Sequence, residues 1–515
     1  MNRILSLNRS SIDLMTLFVA CMTLLLHALF VIHETDDLFI SLRYADNIAV
    51  GLGPVYNVGE FVEGYTTPLW VFLLGALRWL GASLLPTAKF LSLLSGLISL
   101  CLLLPLGRAW GMRGERLAVL LLALNSTFAV WSSAAMEMTL FTLFLLAALL
   151  LLARKQWLIS GLLFGLAILT RPEGVLWLAI SLLCVLWQTK KTDGLIEQLL
   201  PSIKVGVGAS FLVIPHELWR LSYYGELLPN TFYNKVGLSE AVLWRGIEYL
   251  SAAGQDYFFA LTLFLFLAFL IPAIWRKGRA VFGFLIVAQL AYVILVGGDW
   301  MAAYRFLVPA VPLVCLMVAH LIYELRDQAP NHVKSITTVA LIGSILAVQL
   351  FTSLHLSNEL RDNYFFTQEL VQDGYQIATM INTHCTPDVS LALFAAGSVG
   401  YYAINHSVVD MFGLITPEVT RSPTSNIGEG MAGHERFNAQ VVRALQPDLY
   451  VFQTQFDKEP ITDEKGWREV GLAHLIRQFT DEPSFWAEHS TRTVEIEPGL
   501  FWNFAIRHDA ACQWE

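Results

Sequence analysis

Of the 515 residues, 55% are hydrophobic and only 15% are charged, whereas a soluble domain carries about 25% charged residues. This composition excludes a wholly soluble protein and predicts a chain that uses a lipid bilayer as part of its solvent. The net charge of −9, without any basic cluster interleaved with aromatic residues, argues against a nucleic-acid partner.

Apolar runs long enough to cross a bilayer core of about 30 Å recur along the first 355 residues. The first run ends without a small-residue cleavage site, so we expect an uncleaved span rather than a signal peptide. Hydropathy predicts about eleven transmembrane helices, near residues 12–32, 87–106, 117–134, 138–153, 157–170, 174–188, 201–219, 257–275, 280–297, 306–325 and 336–355.

Lysine and arginine mark alternate loops between these spans. The basic positions are Arg3/Arg9, Arg108/Arg113/Arg116, Arg154/Lys155, Lys190/Lys191, Arg276/Lys277/Arg279 and Arg326/Lys334. The positive-inside rule assigns these loops to the cytoplasm. We therefore expect a multi-pass protein of the bacterial inner membrane whose other loops, and whose C-terminal region, face the periplasm.

The apolar segment 68–81 is too short to cross the bilayer. Its 14 residues would cover about 21 Å as a helix. With Trp70 and Trp79 it is typical of a helix that lies at the outer membrane–water interface.

The composition changes after residue 356, where spanning runs end and short apolar stretches at 389–395, 407–411 and 449–452 alternate with polar segments. This pattern predicts a membrane core over 1–355, with a first outer loop at 33–86, followed by a periplasmic α/β domain over 356–515. Cys385 and Cys512 fall in that domain. A disulfide between them and two free thiols are equally compatible with the sequence.

Asp36 and Asp37 directly follow the first predicted span. At a membrane edge, one carboxylate of such a pair can have a raised pKa and act as a general base while the other orients a substrate or holds a cation. The alternative is an acidic helix start, because carboxylates in the first turn interact favourably with the helix dipole. Both interpretations are compatible with the sequence.

Three cations also fall on the predicted outer side. Arg171 and Arg305 lie at the ends of spans, where a guanidinium group can bind a phosphate with two hydrogen bonds, and Lys235 adds a point charge. Each of them is equally consistent with a side chain that extends towards the lipid headgroups.

Several motifs in the outer loops carry a family resemblance. They are DDLFISLRYADN at 36–47, GPVYN at 53–57, EGYT at 63–66, TRPEG at 170–174, YG at 224–225, LPNT at 228–231, GGD at 297–299 and RF at 305–306, with DMFGL at 410–414 and GHE at 433–435 further on. Together they resemble GT-C glycosyltransferases, and most of all the bacterial arabinofuranosyltransferases that cap cell-wall arabinan. The resemblance covers most of the chain and is most specific between residues 36 and 70.

The resemblance implies a polytopic α-helical membrane protein of the GT-C type that transfers a sugar, with arabinofuranose as the first candidate, from a polyprenyl-phosphate donor with inversion. Asp36 or Asp37 would be catalytic, and Arg171, Lys235 and Arg305 would bind the donor phosphate. The predicted substrate-binding residues are Arg43, Tyr44, Asn57, Glu63, Tyr65, Glu137, Glu173, Asn230 and Asp299. No cofactor follows from the sequence, and its carboxylates leave a divalent cation open.

Other functions compete with this one. A mannosyl- or aminoarabinose-type transferase would use the same donor chemistry, and the acceptor is a polysaccharide, a lipid glycan or a pilin-like protein. A transporter of lipid-linked sugars predicts ionisable residues at mid-span. The charges of this chain collect at span ends instead, which favours the transferase.

Overall fold

The structure is a computed structural model that describes residues 9–31, 34–188, 194–235, 237, 239–254, 280–328, 343, 358–423, 427, 431–468 and 470–514. The helices are α1 (Arg9–Phe30), α2 (Asp36–Ala49), α3 (Pro68–Trp79), α4 (Leu84–Ala109), α5 (Glu115–Ala123), α6 (Ser126–Ser133), α7 (Met138–Ala153), α8 (Trp157–Thr170), α9 (Gly174–Gln188), α10 (Leu195–Tyr224), α11 (Asn230–Lys235), α12 (Glu240–Ala253), α13 (Ala280–Val296), α14 (Val311–Gln328), α15 (Asn358–His384), α16 (Ser398–Tyr402), α17 (Pro417–Thr420), α18 (Ala439–Ala444), α19 (Ala473–Thr480) and α20 (Pro483–Glu488). Short 3₁₀ turns occupy Arg305–Leu307 and Gly466–Arg468.

Three described helices are long and apolar enough to cross a bilayer: α1, α4 and α10. Helices α3, α7, α8, α9 and α13 are apolar but shorter. The chain is therefore a membrane protein, as predicted. The expected spans 257–275 and 336–355 lie outside the described residues, so the number of spans stays a prediction.

The predicted span over 117–134 contains a sharp bend, and whether its two halves cross the bilayer together stays a prediction. This segment forms α5 and α6, which meet at an angle of 60°. The first helix ends at Ala123, and Asn125 caps the second helix, because its side chain accepts a hydrogen bond from the Phe128 amide (2.9 Å). Hydropathy averages over such a break because the residues on both sides of it are apolar.

The predicted α/β fold of the C-terminal region is confirmed. Strands β1 (Leu391–Leu393), β2 (Val408–Asp410), β3 (Leu449–Val451), β4 (His489–Glu497) and β5 (Leu500–Arg507) form one sheet in the order β2-β1-β3-β5-β4. The first three strands are parallel, and β4 and β5 form an antiparallel hairpin beside β3. Cys385 and Cys512 form a disulfide, which is one of the two alternatives that the sequence left open.

The chain divides into two compact units. The first unit comprises Met1–His33, Ala88–Trp219 and Leu243–Arg361, and the second comprises Glu34–Thr87, Arg220–Val242 and Asp362–Glu515. A compact unit built from separate segments is not a domain of the sequence, so the predicted boundary between 355 and 356 stays a prediction.

The core of the second unit explains why its segments group together. Ile40, Tyr44 and Tyr56 from the first outer loop share one hydrophobic cluster with Leu391 and Trp502 from the sheet. Helix α3 also belongs to this unit, and its Arg78 forms an ion pair with Asp46 of α2 (2.7 Å). The predicted interfacial segment is therefore helical, while its position at a bilayer surface stays a prediction.

Candidate functional site

The two adjacent aspartates at the start of α2 have different surroundings, both within the second unit. Asp36 is only 4% exposed and accepts hydrogen bonds from the Gly397 amide (2.8 Å), the Ser398 amide (2.7 Å) and the Ser398 hydroxyl (2.8 Å). Burial raises the pKa of Asp36 to about 6, although the hydrogen bonds from Ser398 oppose this rise. Asp36 thus ties α2 to the loop that follows β1.

Asp37 is half-buried. Within the described part of the chain, no hydrogen bond reaches its carboxylate, which interacts electrostatically with His434 and with Asp36. Asp37 is therefore the member of the pair whose carboxylate oxygen atoms no described residue holds by a hydrogen bond.

Helix α11 carries Lys235 and is fixed to a loop of the C-terminal region. The Asn230 side chain donates hydrogen bonds to the carbonyl oxygens of Gly413 (2.8 Å) and Leu414 (2.9 Å). The Asn234 side chain donates to the carbonyl oxygen of Phe412 (2.7 Å). The structure thus uses the predicted substrate-binding residue Asn230 to hold α11, whose last residue, Lys235, is exposed.

The loop that receives α11 is itself organised by Asp410 at the end of β2. Its carboxylate accepts hydrogen bonds from the amides of Phe412 (2.9 Å) and Ile415 (3.3 Å), and burial raises its pKa to about 6. Gly413 adopts a φ of +82°, which a residue with a side chain rarely adopts. The DMFGL motif is therefore a rigid turn whose carbonyl groups point to α11.

His434 lies next to this turn and to Lys235. Its ring packs edge-on against Phe412 with 5.1 Å between the ring centres. The stem of Lys235 lies over Gly433, where an added Cβ would be 3.1 Å from the lysine Cε. Burial lowers the pKa of His434, while the nearby Asp37 carboxylate acts in the opposite direction. We call Asp37, Lys235 and His434 the charged cluster.

The sequence predicts that Arg43 binds substrate, but in the structure its guanidinium group forms hydrogen bonds with the protein backbone. It donates to the carbonyl oxygens of Tyr56 (2.9 Å), His406 (2.8 Å) and Gly400, and it lies over the Tyr56 ring (4.3 Å). With 2% exposure it is a structural link between the first outer loop and the C-terminal region.

Tyr44 and Asn57 have similar structural partners. The Tyr44 hydroxyl donates to the Val62 carbonyl (2.7 Å) and accepts from the Gly64 amide (2.9 Å). The Asn57 amide pairs with both backbone groups of Val408 (2.9 Å each) and thus extends the edge of β2. Both side chains shape the loop.

Glu63 and Tyr65 contact the end of α10. Glu63 forms an ion pair with Arg220 (2.7 Å), and the hydroxyl groups of Tyr65 and Tyr224 are 3.0 Å apart. Both interactions lie within the second unit and join the outer loop to the segment that leads into α11.

The remaining predicted site residues belong to the first unit and form two buried ion-pair groups. Arg171 contacts Glu137 (2.5 Å) and also Glu173. Arg305 donates to Asp299 (3.0 Å), and its Nε lies 2.8 Å from the second oxygen, at an angle unsuitable for a hydrogen bond. Each arginine is thus already neutralised by carboxylates.

Among the described residues, no group of three or more histidine, cysteine or acidic side chains is arranged to hold a metal ion. Asp36 fits this finding, because its carboxylate already accepts three hydrogen bonds from Gly397 and Ser398.

Sequence reasoning missed Ser398 and Arg220, whose carboxylate partners are 362 and 157 positions away in the chain. The GHE motif contains His434, but the sequence predicts no role for this histidine. The signal available for Ser398 was its place directly after a glycine at the end of a predicted strand.

Comparisons with known proteins found one family model and several similar sequences and structures. Residues 361–496 match the model of a domain of unknown function, DUF8728. The terminal β-(1→2)-arabinofuranosyltransferase of Mycobacterium tuberculosis is 28% identical over 255 residues, which cover 43% of this chain and 38% of that protein. The enzyme of the same name from Corynebacterium glutamicum is 26% identical over 331 residues, which cover 53% of this chain and 46% of that protein. The chain therefore matches less than half the length of these relatives.

Two solved structures share the fold. The oligosaccharyltransferase of Archaeoglobus fulgidus, tethered to an acceptor peptide, superposes with a TM-score of 0.58 at 11% identity and covers 98% of this chain and 74% of its own. ArnT from Cupriavidus metallidurans bound to undecaprenyl phosphate superposes with a TM-score of 0.57 at 14% identity. The match covers 98% of this chain and 100% of the ArnT chain. These similarities confirm the predicted fold class, a GT-C membrane protein with a C-terminal α/β region.

Proposed function

We propose that this protein is an inverting glycosyltransferase that moves a sugar from a polyprenyl-phosphate donor to a glycan or protein acceptor outside the cytoplasm. Arabinofuranose is the first sugar to test, because both similar sequences bear the name arabinofuranosyltransferase. A lipid phosphate as the donor carrier is supported by the shared fold with ArnT, which was solved with undecaprenyl phosphate.

The charged cluster is the observation that carries the proposal. In this mechanism the Asp37 carboxylate removes the proton from an acceptor hydroxyl group while the oxygen attacks the anomeric carbon. The bond between that carbon and the phosphate oxygen breaks, and the lipid phosphate leaves with the bonding electrons. Asp36 does not take part directly, because Gly397 and Ser398 occupy its oxygen atoms.

Lys235 is the first of the three predicted cations to test as the group that stabilises the departing phosphate. It is exposed on a helix that two asparagines hold in place, whereas carboxylates neutralise Arg171 and Arg305. A cation placed where negative charge develops lowers the barrier without having to reorganise.

The cellular location is part of the proposal. The Cys385–Cys512 disulfide suits an oxidising compartment such as the periplasm. The alternating basic loops also support a C-terminal region on the outer side of the inner membrane.

The direct test incubates the purified protein with a panel of polyprenyl-phosphate sugars, including arabinofuranosyl, mannosyl and aminoarabinosyl donors, and measures the release of lipid phosphate. Acceptor-dependent release from one donor is the expected result. Absence of release from every donor, with a folded protein and a range of glycan acceptors, would contradict the proposal.

The matched mutational test replaces Asp37 by asparagine. Since general-base catalysis contributes about 10²- to 10⁴-fold, Asp37→Asn should lower the transfer rate by that factor and leave the unfolding temperature nearly unchanged. The control is Asp46→Asn, which makes the same change on the same helix at an ion pair with Arg78. Equal transfer rates in both variants would exclude Asp37 as the base.

A further inference from the structure

Lys235 is the exposed member of the charged cluster. A free lysine side chain adopts many rotamers, because its charge sits at the end of a flexible four-carbon stem. Stabilisation of a leaving group is effective only when the cation is already in place before negative charge develops. A role for Lys235 in the proposed transfer therefore requires other groups that fix its backbone and its stem.

Arg436 fixes the backbone at the end of α11. Its Nε donates to the carbonyl oxygen of Asn234 (2.8 Å), and its Nη1 donates to the carbonyl oxygen of Thr420 (3.0 Å). The last carbonyl groups of a helix have no amide partner within that helix, so the bond to Asn234 satisfies a group that α11 leaves open. Because the guanidinium group is planar and rigid, it holds the two carbonyl groups in one geometry. Arg436 thereby fixes the residue that directly precedes Lys235.

Gly433 supports the stem of Lys235. An added Cβ at Gly433 would lie 3.1 Å from Cε, 3.3 Å from Cδ and 3.6 Å from Cγ of this lysine, so the stem runs along the glycine. Gly433 has a φ of +79°, and its amide donates to the Glu435 carboxylate (2.8 Å). The turn therefore approaches the lysine closely, without a side chain of its own between them.

The contacts of Arg436 lead back to the helix that carries Lys235. Asn234 belongs to α11. The Thr420 hydroxyl oxygen lies 3.2 Å from the side-chain amide nitrogen of Asn230 and 3.3 Å from that of Asn234. Arg436, Thr420 and the two asparagines thus form one network around α11. A residue that served only the core of the C-terminal region would have its partners elsewhere.

We propose that Arg436 is a positioning residue for the transfer reaction and that Arg436 and Gly433 together form a seat for Lys235. Arg436 acts on the backbone of α11, and Gly433 acts on the lysine stem. Neither residue has to touch the donor or the acceptor. This inference rests on the proposed function, because it assigns the seat to the cation that stabilises the departing phosphate.

The transfer test combines Arg436→Gln with Lys235→Met in a double-mutant cycle. Arg436→Gln loses the fork that holds the two carbonyl groups, so kcat/KM for the donor should fall about tenfold while the KM for the acceptor stays unchanged. If Arg436 acts through Lys235, the double variant should be no slower than Lys235→Met alone. The control is Arg443→Gln, which removes the same charge from an arginine that donates to Ser484 (2.9 Å) and should keep the wild-type rate.

Hydrogen exchange of the full-length protein, measured by mass spectrometry, tests the seat without any transfer. In Arg436→Gln the amides of residues 230–235 should exchange about tenfold faster than in the wild type, because a charge-assisted hydrogen bond no longer holds the helix. Arg443→Gln should leave their exchange unchanged. Arg436→Lys can donate to one carbonyl group but not to both, so it should give an increase of about threefold. This milder variant keeps the test valid if Arg436→Gln does not fold.

Gly433→Ala tests the other half of the seat. Its Cβ would displace the lysine stem while the bonds from Arg436 remain, so kcat/KM for the donor should fall about threefold and the exchange of residues 230–235 should stay unchanged.

Three results would overturn the assignment: unchanged exchange of residues 230–235 in both Arg436 variants, additive losses of transfer in the double variant, or wild-type transfer in Gly433→Ala. Faster exchange in Arg436→Gln, in a protein whose wild type transfers no sugar from any donor, would contradict the proposed function and leave Arg436 as the residue that fixes α11. Transfer by a wild type in which this exchange does not depend on Arg436 would contradict this inference alone.

Discussion

In the first unit the buried arginines Arg171 and Arg305 face carboxylates, whereas in the second unit the buried Arg43 donates to uncharged oxygen atoms and lies over an aromatic ring. Both arrangements satisfy a guanidinium group away from water, but they do so with different net charges. The Arg305–Asp299 pair is neutral and the Arg171 group holds one more carboxylate than cations, while Arg43 keeps its positive charge within the fold.

This difference indicates what each region uses its charges for. The first unit pairs its charges within apolar surroundings, where an isolated charge is costly. The second unit uses charged and amide side chains to join segments that are far apart in sequence, as Asp36 does with Ser398 and Asn234 does with Phe412. A phosphate ligand would have to displace carboxylates in the first unit but not at Lys235 in the second.

Breaking the ion-pair group around Arg171 should strongly destabilise the first unit. Arg171→Met leaves Glu137 and Glu173 buried without their cation, which should lower the free energy of unfolding by about 3–5 kcal/mol. Thermal unfolding of the protein in detergent, compared with the wild type, measures this loss.

Neutralising the carboxylates should restore the stability. The triple variant Arg171→Met/Glu137→Gln/Glu173→Gln removes all three charges and should unfold near the wild-type temperature. If it also keeps donor affinity, Arg171 serves the fold. A stable triple variant that has lost donor binding would show instead that Arg171 contacts the phosphate.

The next effect is a pH dependence that belongs to the second unit. Because burial raises the pKa of Asp36 from 3.8 to about 6, the folded state binds the proton more tightly than the unfolded state. Stability from this group is therefore fully present below pH 4 and falls by roughly 3 kcal/mol as the pH rises through 6.

Asp36→Asn cannot titrate, so the difference in unfolding free energy between the wild type and this variant should shrink as the pH rises from 4 to 7. The lost acceptor for the Gly397 amide lowers the stability of the variant by the same amount at every pH. A difference that stays constant over this range would show that Asp36 is not buried in the way described.

Local features of the fold were predictable from the sequence because they depend on near neighbours. The apolar run at 138–153 coincides with α7, and the three short apolar stretches after residue 356 contain β1, β2 and β3. The break at Asn125 was missed because one polar residue hardly changes a hydropathy average.

The site could be predicted only as a set of residue types. Asp36 and Asp37 are chemically identical neighbours, and their different environments arise because adjacent positions on a helix point about 100° apart. Whether a carboxylate meets Ser398 or remains accessible depends on chain segments more than 300 positions away. The same holds for Arg43 and Asn230, whose side chains suit a ligand as well as they suit the carbonyl groups that they bind here.

Lys235 offers a test of whether the second unit supplies the cation that meets the donor phosphate. Lys235→Met removes a charge from the charged cluster while Asn230 and Asn234 still hold α11, so the fold should be unchanged. The kcat/KM for the donor should fall about ten- to a hundredfold, because a cation no longer faces the departing phosphate. Lys235→Arg should recover most of the rate, and Arg421→Met, which breaks an exposed ion pair with Glu226, serves as the control for lost positive charge. If Lys235→Met and Arg421→Met behave alike, the phosphate is stabilised elsewhere, and the neutralised arginines of the first unit again become the groups to test.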